Sequence, residues 1–135
     1  GADLREVNFW QANLSGADLR GAKLNGAMLW ETNLSNANLS GADLSGAVSR
    51  DLDLNGANLR GANLRDANLK GAQLRGADLS NVRTSGVDLS GADLRDVNLS
   101  GTDLRETDIW DADLRGACGD AETLPPEGFP ELPFC

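Results

Sequence analysis

Residues 57–80 read ANLRG ANLRD ANLKG AQLRG ADLS. The unit is five residues long: a small residue, Asp or Asn, Leu, a polar residue, then often Gly. Extended outward, the same frame runs from Leu4 to Leu114. It gives 23 central positions, of which 21 are Leu, Phe or Ile. The residue two before each centre is Ala, Val or Thr almost throughout. Such internal repetition decides the fold before any propensity does.

A period of five fits neither regular element. On a helix the Leu residues would drift by roughly 140° per unit and form no stripe. On a straight strand an odd period would send them to alternate faces. Helix is further disfavoured by 16 Gly and by the Asn or Asp in most units, residue types that prefer turns. The chain keeps its Leu on one side only by bending at every unit. A coil of short extended pieces and tight turns does this, and stacked coils bury one continuous core. The expected class is therefore all-β, a β-solenoid.

These residues resemble the pentapeptide-repeat family, whose pattern is A(D/N)LXX, over residues 1–118. The resemblance implies a right-handed quadrilateral β-helix of about six coils, with four units in each. It places the central Leu and the Ala two before it inside, and the other three columns outside. Residues 119–135 are expected to form an irregular cap on the last coil.

The chain of 135 residues is one domain in size. Tyr and His are absent, and no apolar run approaches membrane-spanning length. Burying a Leu is worth about 1.5–3 kcal/mol, so low mean hydropathy does not signal disorder here. The formal charge is −9, with four acids (Asp120, Glu122, Glu127, Glu131) in the tail. That balance argues against direct nucleic-acid binding, which needs a basic footprint; membrane insertion is not expected either. The chain opens in frame at Gly1, without a signal peptide or N-terminal lid. Repeat arrays need terminal caps, so the expectation is a mature or trimmed product. The other reading is an end-to-end homodimer through the first coil.

Folded at four units to the coil, one outward column reads Trp10, Trp30, Arg50, Lys70, Ser90, Trp110. Beside it, Met28 and Val48 break the Asp/Asn habit of their column. Trp10, Met28, Trp30, Val48 and Arg50 thus form a candidate partner patch, since aromatic and Arg residues dominate binding hot spots. The alternative is that bulky residues simply tile the wall, with Arg50 stacked over Trp30. Ser49 and Thr84 are polar at central positions; each buried hydroxyl can bond a neighbouring carbonyl. Leu52, where Ala is expected, can fill space that Ser49 leaves.

The pattern ends at Ala117. The remainder, CGDAETLPPEGFPELPFC, holds all four Pro and both Cys. Pro excludes helix or paired strand over most of it. Leu124, Phe129, Leu132 and Phe134 are expected to cover the last coil. Cys118 and Cys135 could close a loop whose disulfide would add roughly 3 kcal/mol. The same segment resembles a Cys-terminated end found in some bacterial pentapeptide-repeat proteins. A disulfide would suit the periplasm or another oxidising space; two free thiols in the cytoplasm are the alternative.

Nothing supports catalysis: no nucleophile elbow, no phosphate-binding Gly loop with Lys, and no ligand set for a metal or cofactor. The best-supported role is a rigid module for protein–protein interaction or structural support, its protein partner unnamed. A second role comes from one branch of the family, acidic DNA mimics that bind type II topoisomerases. It predicts continuous acidic strips, whereas here 12 bases interleave with the acids. An ice-binding face would want a regular Thr column, but Thr32, Thr102 and Thr107 fall at inward positions.

Overall fold

The structure is a computed structural model that describes residues 1–129 and 131–135; Pro130, one of the cap prolines, lies outside the described residues. Its architecture follows from one local unit. The central residue's carbonyl accepts from the amide three positions on, as in Ala12 to Phe9 at 2.8 Å. The third residue of that turn takes a positive φ, which type II geometry requires. Gly fills it at Gly21 (φ 60°) and Gly71 (φ 67°), and Asn36 or Asp66 fill it elsewhere. The repeating Gly is thus a turn device.

Where Asp or Asn stands before the centre, its side chain fastens the turn from outside. The Asn13 and Asp78 Oδ1 atoms accept from the backbone amides of Ser15 and Ser80, at 3.1 and 2.9 Å. Asn and Asp hold turns in this way through their short acceptors. Each such turn therefore rests on two local bonds.

Single parallel bridges join nearly every unit to the fourth unit after it: Asn38 to Asn58, Asn58 to Asp78, Asp78 to Asn98. The ladder amides follow, with Leu39 donating to Asn58 at 2.7 Å and Leu59 to Asp78 at 2.8 Å. Each extended piece is too short to count as a strand, so the sheet-like pairing is carried by isolated bridges. The result is a β-solenoid.

Inside, Leu and Ala make one column, interrupted at the central positions by Ser49 and Thr84. Leu29, Leu54, Leu59, Leu64, Leu69 and Leu74 are fully buried. At the N-terminal end Leu4, Phe9, Leu14 and Leu19 are only partly covered. Every buried side-chain polar atom among the described residues has a partner. The inward Thr residues show how: Thr32, Thr102 and Thr107 donate to the carbonyls of Phe9, Leu79 and Thr84. Ser49 likewise donates to the Asn68 carbonyl at 2.9 Å, and Leu52 beside it is fully buried.

The C-terminal segment meets the last coil mainly through backbone. Leu124 pairs with Asp103, and Gly119 with Phe134. Leu104 donates to Leu124, one position further along than the regular step that takes Leu99 to Cys118. Gly101 loses its ladder carbonyl and donates to the Asp120 carboxylate instead, at 2.9 Å. This bond holds Asp120 below the usual carboxylate range. Cys118 and Cys135 form a disulfide with their Cα atoms 4.8 Å apart.

The apolar side chains of the segment meet the expectation only in part. Leu132 packs on the core, Leu124 and Phe129 are 38% and 37% exposed, and Phe134 is 77% exposed. Backbone pairing and the disulfide already anchor the segment, so these side chains are not needed as a lid.

Candidate interaction surfaces

The four-unit register assigns each outward side chain to a wall. Bridges from Asn8 to Met28, Met28 to Val48 and Val48 to Asn68 stack one column. Trp10, Trp30 and Arg50 lie two positions along, in the neighbouring column of the same wall. Trp10 is 60% exposed, Trp30 49%, Met28 43% and Val48 40%. Arg50 approaches Asp51 at 3.6 Å and is itself well exposed. Trp110 is exposed on the same column, four coils beyond Trp30.

A second outward pattern comes from units in which Asp precedes the central residue and Arg follows it. The Arg folds back onto that Asp in Asp3–Arg5, Asp18–Arg20, Asp93–Arg95, Asp103–Arg105 and Asp113–Arg115. The guanidinium of Arg115 holds Asp113 down at about 2, and Arg20 does the same to Asp18. Arg95 also reaches Asp113 across coils at 3.7 Å. Such exposed pairs add little energy, but they cancel charge locally and interrupt any acidic strip.

Where Asn replaces that Asp, the Arg has no carboxylate to return to. Asn63 instead donates from Nδ2 to Asp43 at 3.0 Å. Arg65 is left without an ion pair among the described residues, as is Arg83, which itself occupies an Asp/Asn position.

At Arg83 the wall opens. Between Asp3 and Cys118 the series of bridges lacks one member, Arg83 to Asp103. The Thr84 hydroxyl takes the Asp103 carbonyl, and no backbone bond joins the Thr84 amide to it. The Asp103 amide likewise makes no bond to the Val82 carbonyl, although its equivalent, Asp108, donates to Val87. Glu106 lacks the positive φ of the other turns, and Gly86 donates to its carbonyl at 3.0 Å. A groove of about 640 Å³ results, lined by Arg65, Arg83, Arg105, Ser85, Asp103 and Glu106. Thr84 was legible as an irregular centre, but the groove was not. The available signal was Arg83 standing where Asp or Asn belongs.

The family profile for pentapeptide repeats matches eight copies, over residues 12–48, 50–82 and 85–118. The chain is a pentapeptide repeat protein. Members of this family are generally non-catalytic structural or interaction modules, and no enzyme family is indicated. No curated protein matches the chain. Among solved structures, this pentapeptide repeat protein is similar to HetL of the cyanobacterium Nostoc sp. strain PCC 7120, described as involved in heterocyst differentiation regulation. The two are 23% identical over 95% of this chain and 91% of HetL, with a TM-score of 0.51, a likeness of fold. A thylakoid-lumen pentapeptide repeat protein of Arabidopsis thaliana is 28% identical over 78% of this chain and 66% of its own, with a TM-score of 0.47. A further Nostoc PCC 7120 member is 36% identical over 80% and 77%, with a TM-score of 0.43.

Among the described residues no group of side chains could hold a metal ion, and no helix is long and apolar enough to cross a membrane.

Proposed function

We propose that this pentapeptide repeat protein is a rigid, non-catalytic module that docks another protein through the wall bearing Trp10, Met28, Trp30, Val48 and Arg50. The observation that carries this is the exposure of four large apolar side chains side by side on a preformed surface. A rigid wall loses little conformational entropy on binding, and Trp with Arg is the usual composition of a binding hot spot. The full architecture is taken as a right-handed, four-sided solenoid of about six coils with residues 119–135 as its cap. The disulfide supports an oxidising compartment such as the periplasm, or secretion.

Replacing Trp30 with Ser tests the docking wall, because its side chain lies outside the core. Thermal unfolding should stay within a few degrees of the parent. Capture of protein from the native host should fall for Trp30→Ser and stay unchanged for Trp110→Ser. Equal capture by parent and both variants would return the patch to wall tiling.

The net charge of −9 motivates a second role, as an acidic DNA mimic for a type II topoisomerase. The Asp–Arg pairs weigh against it, because they break the acidic surface at five units. Supercoiling by purified gyrase should be unaffected at micromolar protein; inhibition would favour the mimic.

A further inference from the structure

Among the described residues, the groove beside Arg83 is the place where cations outnumber acids around a break in the wall. Both acids that line it are engaged: Asp103 accepts Arg105 through Nε and Nη2 at 2.9 and 2.7 Å, and Glu106 accepts the Ser85 hydroxyl. Arg65 and Arg83 are exposed and come from adjacent coils, since Asn63, two positions before Arg65, bridges Arg83. The parted ladder adds a free backbone donor, the Asp103 amide. The groove's volume, about 640 Å³, falls in the range of small-molecule sites, roughly 300–1,000 Å³.

We propose that this groove binds a small phosphate-bearing molecule, with the phosphate held between the guanidinium groups of Arg65 and Arg83. Guanidinium forks match phosphate oxygens in pairs. The polar groups of Asn81, Ser85 and Glu106 suit a hydroxyl-rich body better than an apolar one. The chain's net charge of −9 disfavours diffuse anion binding, so binding here would be local and saturable. This site lies apart from the Trp wall and does not depend on it.

The test is an amide-shift titration of the intact protein with inorganic phosphate, glucose 6-phosphate and glucose, at constant ionic strength. Both phosphate compounds should give saturable shifts at Arg83, Thr84, Asp103 and Arg105, with Kd at or below about 1 mM. Arg83→Ala and Arg65→Ala should each weaken binding at least about tenfold. Arg60→Ala, which removes an unpaired Arg from another wall, should leave it within about twofold. Arg65→Lys, which keeps the charge but loses the fork, should weaken it as well. Absence of saturation with both phosphate compounds would overturn the proposal. So would equal weakening by Arg60→Ala, or glucose alone saturating the same amides.

Discussion

The Thr102 hydroxyl donates to the Leu79 carbonyl at 2.7 Å, tying a fully buried side chain to the turn one coil earlier. That carbonyl already accepts the Val82 amide, at a long 3.4 Å. The Thr is therefore both a core filler and a staple between layers. A buried hydroxyl with a bond of this kind is worth about 0.5–1.5 kcal/mol. Thr102→Val keeps the shape and removes the donor, so stability should fall by about 1 kcal/mol. Urea denaturation checks it; an unchanged midpoint would remove the staple from the account.

The C-terminal segment is held by backbone pairing, Asp120 and the Cys118–Cys135 bond, 17 residues apart in sequence. Closing a loop of that length contributes roughly 3 kcal/mol by chain entropy. The oxidised protein should not react with thiol reagents until a reductant is added. After reduction, two thiols should label and the melting temperature should drop. Immediate labelling of two thiols would contradict the bond.

Asp113 titrates at about 2 because Arg115 hydrogen-bonds its carboxylate, with Arg95 adding attraction. A carboxylate held below its unfolded value, about 3.9, contributes stability above that value. The contribution is lost as pH falls through the folded value, here between about pH 4 and 2. In an NMR titration, Arg115→Ala should raise the Asp113 midpoint toward the ordinary range. A midpoint unmoved by that substitution would show that the pair is not formed in solution.

The inner column was legible because it depends only on the period: a chain that bends at every unit must put Leu59, Leu64, Leu69 and Leu74 on one side. The positive φ at Gly71 was legible for the same reason, since the turn needs it. The register between coils was not, because composition leaves the number of sides open; family resemblance supplied it. Phe134 misled because apolarity in a tail implies burial, while its backbone pairing with Gly119 leaves the ring outside. The groove depends on which Arg lacks a carboxylate partner and on one broken bridge. Both are three-dimensional consequences of Arg83 and Thr84, and neither follows from the period.

The whole fold rests on a parallel ladder in which nearly every unit pairs with the fourth unit after it. Scalar couplings across hydrogen bonds test it directly, because they connect an amide nitrogen to the carbonyl it contacts. Couplings are expected from Leu39 to Asn58, from Leu59 to Asp78 and from Leu69 to Asp88. Couplings from these amides to carbonyls one helical turn earlier, or to any partner at another constant spacing, would contradict it.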